Sequence, residues 1–469
     1  MVTDRECDVV VLGAGFSGLA AARALVRRGL EVVVLEARDR VGGRSWTERI
    51  GDLVVDRGGQ WIGPTQTRLQ SLADDLGVAT SPTYTAGEGV ELRDGARYTY
   101  GGLIPTSDAA AAAEAVEAIL DLDLLALEVP THVPWEAADA RRLDGTTLAG
   151  WMDDHLAAGP ARSLLAVAVR GVFGAEPEEL SLLFTLFYLH AGGGLSNLVR
   201  TTGGAQERRF VGGSQQLALA MAAELGRGVV LSSPVEDVRI DPGATAKVTV
   251  TARRAAPEGA AGGDGSWSVR AQRAVVAMPP VVAARLRWAP EPPGLRDQLA
   301  MRMPMGTVTK VHAVYDRPFW RDAGLNGQLV ADAGPLSSTF DDSPADGSHG
   351  VLVGFVAGHD CRRYERAGAE LRRKAVLEQL GRAFGPPAAE PVSLHEQHWP
   401  AERFTGGGPV AICVPGALTT LGTALRDPFG PVHWAGTETA TEWCGYLEGA
   451  LQAGERAAAE VAGALGAGS

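Results

Sequence analysis

The run Gly13-Ala14-Gly15-Phe16-Ser17-Gly18 holds the most specific chemistry of the chain. It follows the apolar run Val9 to Leu12 and opens a segment of helical spacing, Leu19 to Arg28. A second β-branched run, Glu31 to Leu35, then ends at Glu36. A strand, a glycine turn, a helix and a carboxylate about twenty residues on make up a dinucleotide fingerprint. In that reading Gly13 makes the tight turn and Gly15 lets the backbone approach a pyrophosphate at the positive helix end. Gly18 allows close helix–strand packing, and Glu36 accepts from ribose hydroxyls. The alternative, a Gly-rich turn without a ligand, does not account for the strand, the helix and the acid together. This spacing alone does not separate NAD from FAD.

Other chemistries lack a motif. No Ser/His/Asp order, HExxH or CxxC occurs, and the nine histidines are dispersed, so hydrolysis and metal catalysis have nothing to carry them. A reaction performed by a cofactor needs no side-chain nucleophile, because the protein supplies position and electrostatics.

The framework that must position these residues is large. A chain of 469 residues corresponds to roughly three domain-sized units. Hydrophobic residues at 45%, charged at 21% and aromatic at 6% describe a globular protein with a sizeable core. The formal net charge of −13, with no basic patch, argues against a nucleic-acid or anionic-membrane partner. Cys7, Cys361, Cys413 and Cys444 lack metal-ligand spacing and are too few for a disulfide scaffold, which fits a reducing cytosol. The polar start MVTDRECD lacks the order of a secretory signal, and the Ala-rich end falls short of the ~20 apolar residues of a membrane span. A soluble, cytoplasmic protein is expected.

The 60 glycines, nearly twice the usual ~7%, cluster at 13–18, 42–43, 58–63, 192–194, 203–213, 406–408 and 436–449, as for a large ligand wrapped by several loops. The opening βαβ unit gives way to a mostly helical middle, with a long helix over Ala109 to Leu127 and more over Gly145 to Phe187. Strands resume at Val229 to Ile240, Lys247 to Thr251, Val275 to Met278 and Val308 to Tyr315, and Arg253 to Ser266 reads as a flexible hairpin loop.

After the fingerprint, Leu35-Glu36-Ala37-Arg38-Asp39-Arg40-Val41-Gly42-Gly43-Arg44 places a Gly pair and arginines behind the ribose carboxylate. Further on come Asp56-Arg57-Gly58-Gly59-Gln60-Trp61-Ile62-Gly63, Gly204-Ala205-Gln206-Glu207-Arg208-Arg209-Phe210, Trp434-Ala435-Gly436-Thr437-Glu438-Thr439 and Trp443-Cys444-Gly445-Tyr446-Leu447-Glu448-Gly449. In this order the motifs resemble the GG-doublet flavoproteins, specifically the flavin-containing monoamine oxidase family, over nearly the whole chain.

The resemblance implies an α/β fold, in which a Rossmann-like FAD-binding domain (1–85, 211–300 and 395–469) interleaves with a mixed α+β substrate domain (86–210 and 301–394). It implies that FAD is held by Gly13, Gly15, Phe16, Ser17, Gly18, Glu36, Ala37, Arg38, Gly43, Arg44, Gly58, Gly59, Gln60, Trp61, Val235, Trp399, Gly436, Thr437, Gly445, Tyr446 and Leu447. Lys310 matches the lysine that holds a water against flavin N5, where a cation can order water as oxygen accepts electrons. Trp399 and Tyr446 match aromatics near the flavin, Tyr446 being one wall of the aromatic cage that orients the amine. Gln206, Val199, Phe340, Phe355 and Pro409 complete the implied substrate pocket. A lysine or aromatic residue alone would pass for a solvated face or plain core; motif position is what singles these out.

Two departures matter. Phe404-Thr405-Gly406-Gly407-Gly408 has Gly where the family's covalent link uses Cys, so FAD is expected to be bound non-covalently. The second cage tyrosine is replaced by Pro409, a combination similar to bacterial amine oxidases such as cyclohexylamine oxidase. The implied reaction moves a hydride equivalent from the α-carbon of a primary amine to flavin N5. The imine hydrolyses to aldehyde or ketone plus ammonia, and oxygen becomes hydrogen peroxide. The rivals are a polyamine, putrescine or amino acid oxidase, a desaturase of the same superfamily, and a catalytically silent flavin-binding partner. The expected partners are a small amine and oxygen, and both a monomer and a homodimer are compatible with the chain.

Overall fold

The computed structural model describes residues 4–102, 104–105, 107–241, 243, 247–253 and 265–467. Most of the hairpin loop expected over Arg253 to Ser266 therefore lies outside the described residues.

Among the described residues, eight strands form the first sheet, in the order Val229–Val230, Val32–Leu35, Arg5–Leu12, Ser266–Ala277, Val248–Arg253, Val235–Ile240 and Arg287–Ala289, with Val432–Ala435 also paired to Ser266–Ala277. Arg5–Leu12 runs parallel to Val32–Leu35 and to Ser266–Ala277. The continuous apolar runs follow from burial on both faces. Val9, Val11, Val32 and Val34 pack with Leu19, Leu25 and Leu451 on one side. Val10, Leu12, Val33 and Leu35 pack with Val250, Val269, Trp288 and Trp434 on the other. The helices Phe16–Val26 and Leu447–Leu465 cover the first face, the former beginning where the first strand ends.

A second sheet has seven strands, ordered Ser393–His398, Val308–Tyr315, Gly350–Ala357, Ser338–Asp341, Leu325–Ala331, Glu88–Arg93 and Ala96–Tyr100. Side chains alternate across it with the period of two that any strand imposes. Val311 and Ala313 join Val356 and, from the helix Ala369–Phe384, Val376 and Leu380 in one core, which turns Lys310 to the opposite face. There the register sets Lys310 directly across from Phe355. The strand Ser393–His398 straddles the expected boundary at 395.

The helical middle is present as Ala109–Ala126, Leu148–His155, Pro160–Phe173 and Leu182–Ala191. The last is apolar nearly all round because nine of its ten residues are buried. One expectation is corrected: Val229 to Ile240 is not one strand. Val229–Val230 lies at one edge of the first sheet and Val235–Ile240 beyond its centre. The chain crosses between them through Ser232, at φ +50°, and Pro234, which has no N–H to give a ladder. The Ser232 and Ser233 amides donate to the Arg38 and Glu36 carbonyls, so this crossing passes over the end of the fingerprint.

Candidate active site

A cavity of about 470 Å³ is lined by both sheets and by the helical middle. Such a volume suits a cofactor or substrate site, typically ~300–1,000 Å³. From the first sheet and its loops come Gly13, Gly15, Phe16, Ser17, Glu36, Ala37, Arg38, Gly43, Arg44, Val235, Gly436, Thr437, Gly445, Tyr446 and Leu447, and from the segment that follows the strand Leu53–Asp56 of a small two-stranded sheet come Gly58, Gly59, Gln60 and Trp61. Val199, Gln206, Lys310, Phe340, Phe355, Trp399 and Pro409 also line it. Of the residues singled out in the sequence, Gly18 alone is not in the wall. A Cβ there would lie 1.9 Å from the Gly13 carbonyl oxygen, so its place is in the close packing behind the turn.

The fingerprint end is built to take a nucleotide. Gly13 adopts φ +103°, a region glycine tolerates. The helix Phe16–Val26 starts at Gly15 with no side-chain cap, leaving first-turn N–H groups for an anion. The buried Glu36 carboxylate accepts from the Ala14 amide at 2.8 Å and the Arg38 amide at 2.9 Å, and its remaining lone pairs can take ribose hydroxyls. Ser17 Oγ accepts from the Gly436 amide at 2.8 Å, tying the helix start to the closing motif. Arg44 grips the buried Glu438 through two nitrogens, at 2.6 and 3.1 Å, and donates to the Pro409 carbonyl at 2.8 Å. This donor and acceptor set fits FAD, with a helix terminus and Arg44 for the pyrophosphate and Glu36 for the ribose.

Around Lys310 the wall is aromatic. Its Nζ lies 5.7 Å from the Trp61 ring centre and 5.8 Å from that of Phe355. Trp61 meets Phe340 edge-on at 5.2 Å. The ammonium donates to the Asp56 carbonyl at 2.6 Å, the Gly58 carbonyl at 2.8 Å and Gln60 Oε1. All three of its donors are thus occupied, and it can hold a water only by releasing one of them. Burial pulls Lys310 down to about 8, opposed by Asp342 and Asp56, and burial pushes Asp56 up to about 6.

Tyr446 is held between Trp443, whose ring centre is 5.0 Å away, and Tyr188, at 6.2 Å. Burial raises both tyrosines above the ordinary phenol range, so they present neutral hydroxyls. Trp399 is fixed by its Nε1–H donating to the Arg57 carbonyl at 3.0 Å. Gln206 donates to the Leu198 carbonyl at 2.8 Å, leaving Oε1 buried with no protein partner. Sequence reasoning missed Tyr188, Tyr100, Gln328 and Ser338 in the wall. Tyr188 lies in a run of apolar residues that looks like core, and no local signal marks it. Glu438 stands in a quoted motif, but its need for a cation shows only in the fold, where it is 2% exposed and paired with Arg44.

Among the described lining residues Glu36 is the single carboxylate, and it belongs to the fingerprint. No group of His, Cys, Asp and Glu suited to a metal ion occurs among the described residues. No helix among them is long and apolar enough to cross a membrane.

Comparison with known proteins agrees with this geometry. The profile of the flavin containing amine oxidoreductase family matches residues 16–462. AofH of Mycobacterium tuberculosis is 41% identical over 458 residues, covering 98% of this chain and 97% of that protein. Amine oxidase (flavin-containing) B of Homo sapiens is 36% identical over 466 residues, covering 98% and 87%. Among solved structures, a putrescine oxidase bound to putrescine matches with a TM-score of 0.92 at 34% identity, covering 98% of this chain and 100% of that one. Cyclohexylamine oxidase from Brevibacterium oxydans matches with a TM-score of 0.90 at 35% identity, covering 98% and 99%. The resemblance seen in the motifs therefore holds for sequence and fold together, and the chain belongs to the family of flavin containing amine oxidoreductases.

Proposed function

We propose that the protein oxidises apolar primary monoamines with a compact or cyclic body, using FAD bound without a covalent link. The imine hydrolyses to aldehyde or ketone plus ammonia, and oxygen is reduced to hydrogen peroxide. The observation that carries the substrate class is the wall itself: Tyr446, Trp61, Phe340, Phe355, Val199 and Leu198 supply apolar surface, and Glu36 is its single described acid. A diamine's second ammonium would be desolvated without a counter-ion, at a cost of several kcal/mol.

Bound FAD would supply the two-electron acceptor and pass the electrons to oxygen. The chain's residues do the rest. The start of the helix Phe16–Val26 and Arg44 would hold the pyrophosphate, Glu36 the ribose and the Val235 backbone the adenine side, and Thr437 and Leu447 would line the flavin end. Tyr446 and Tyr188, neutral at physiological pH, orient the amine and exclude water. The unpartnered Gln206 Oε1 accepts an N–H on the substrate side, and Lys310 supplies positive charge at the cavity wall. Pro409, in place of a cage tyrosine, makes room for non-planar rings. Gly408 has no sulfur to tether a flavin, which supports non-covalent binding. The division into an FAD domain (1–85, 211–300, 395–469) and a substrate domain (86–210, 301–394) belongs to the same proposal. So does a cytoplasmic location, supported by four cysteines without disulfide partners.

The test is a peroxide-release screen over amines. A cycloalkyl amine should show kcat/KM at least ~10-fold above putrescine, about 1.4 kcal/mol. A higher value for putrescine or spermidine than for every monoamine would overturn the substrate assignment.

A further inference from the structure

Behind Lys310 and Gln60 of the cavity wall lie two buried charged groups, Asp342 and Arg209, that the reaction as proposed leaves unused. Gln60, in the loop after the strand Leu53–Asp56, lines the cavity with 1% of its surface exposed. Its Nε2–H donates to Asp342 Oδ1 at 2.7 Å, while its Oε1 accepts from Lys310. Asp342 directly follows the strand Ser338–Asp341 and is 5% exposed. Arg209, on the strand Arg208–Phe210, pairs with the Asp342 carboxylate and donates to the Asp342 carbonyl at 2.7 Å and the Ser343 carbonyl at 2.6 Å. The line therefore runs from guanidinium to carboxylate to amide to ammonium, across four separate elements.

The amide in the middle has one tolerable orientation. Flipped, it would turn its NH₂ toward the Lys310 ammonium and its carbonyl toward the Asp342 carboxylate, creating two like-signed contacts where two charge-assisted hydrogen bonds now stand. We propose that Asp342 is a positioning residue for the oxidation: through the Gln60 amide it fixes the direction and maintains the positive charge of the Lys310 ammonium at the cavity wall. The inference rests on the assignment of Lys310 to the flavin side of the site. Burial works against the charge of Lys310; among the groups facing it, Asp342 and Asp56 support that charge, whereas Arg209 and Arg57 oppose it. His312, wholly buried beside Asp342, has burial and the Lys310 charge both holding it well below the ordinary imidazole range, so it adds no competing cation.

Lys247, Lys310 and Lys374 are the three lysines of the chain, which makes the ammonium directly observable. In holoenzyme labelled with ¹³Cε-lysine, three signals are assigned with Lys247→Arg and Lys374→Arg and followed in a pH titration by NMR. Lys247 and Lys374 are exposed and serve as internal controls. In Asp342→Asn the Lys310 midpoint should fall by about one unit, a tenfold loss of proton affinity, with the controls unmoved. An unmoved Lys310 midpoint overturns the proposal. Gln60→Leu keeps the carboxylate but removes the coupler. The Lys310 midpoint should fall there too, and adding Asp342→Asn should then lower it by less than in the parent. Full additivity overturns the coupling through Gln60. Should Asp342→Asn not fold, Gln60→Leu alone decides, an unchanged midpoint counting against the proposal. The titration needs no substrate. Absence of peroxide release from every amine would therefore sink the proposed function, whereas an active oxidase with an unmoved midpoint would sink this inference alone.

Discussion

Gly15 and Gly18 belong to one motif, yet their surroundings predict opposite consequences for the same substitution. A Cβ at Gly18 would sit 1.9 Å from the Gly13 carbonyl oxygen and 3.2 Å from the Ala277 Cβ. Ordinary contact begins at 3.4 Å, so helix and turn must part by about 1.5 Å. The helix has little room to retreat, because the helix Leu447–Leu465 approaches so closely that a Cβ at Gly454 would lie 2.2 Å from the Ser17 carbonyl oxygen. Overpacking of this kind costs ~1–3 kcal/mol, and in this confined place we expect about 3. Moving the helix start by that distance also forfeits two hydrogen bonds to an anionic pyrophosphate at ~1.5 kcal/mol each, roughly 100-fold in FAD affinity.

At Gly15 an added Cβ has a single neighbour within 4 Å, the Gly43 Cα at 3.9 Å, and the backbone is at φ −72°. Alanine fits the empty protein there but intrudes on the ligand. Thermal unfolding of the apoproteins and calorimetric titration with FAD separate the two effects. Gly18→Ala should lower the apoprotein Tm by several degrees and weaken FAD about 100-fold. Gly15→Ala should leave the apoprotein Tm within about a degree and still weaken FAD at least ~10-fold. Equal Tm values for parent and Gly18→Ala, or an equal fall in both variants, would refute the division of labour.

The site sets four further outcomes. Acid precipitation should leave the flavin in a yellow supernatant above a colourless pellet; a flavin peptide surviving digestion would show a covalent link elsewhere than residue 408. Lys310→Met should retain FAD yet slow a flavin half-reaction at least ~10-fold, and unchanged stopped-flow rates would remove Lys310 from the chemistry. The same variant has a stability signature. The Lys310 pKa is depressed from 10.5 to about 8 on folding, so its contribution is fully present above the unfolded value and lost as pH falls through about 8. The Tm difference between parent and Lys310→Met should therefore move in the parent's favour between about pH 7.5 and 10.5, and a pH-independent difference would contradict it. Pro409→Tyr should restore a cage wall and reduce kcat/KM for cycloalkyl amines relative to benzylamine; an unchanged ratio would mean that residue 409 does not limit ring size.

The nucleotide end was legible in the sequence because its physics is local. A strand, a turn at Gly13, a helix start at Gly15 and an acid closing the next strand are all contained between residues 5 and 36, and neighbours in the chain remain neighbours in space. The helix Ala109–Ala126 and the helical character of Gly145 to Phe187 were legible for the same reason, whereas the break between Val230 and Val235 was not. The first half joins Val32–Leu35, far back in the chain, while the second forms a hairpin with the next strand, Val248–Arg253, and an apolar run carries no record that its two halves part in this way. Family motifs named Lys310, Tyr446 and Trp399 but were silent about what holds them.

Those supports are long-range. Gln60 reaches Asp342 across 282 positions, and Arg44 reaches Glu438 across 394. Tyr188 arrives beside Tyr446 only because a buried helix packs against the closing motif. Composition and spacing can state which groups are able to donate, accept or carry charge. Which acceptor takes each donor of Lys310, and which acid faces it through Gln60, depends on two sheets meeting across one cavity. Once water is excluded there, every buried polar group must find its partner among the side chains that tertiary packing has brought within reach.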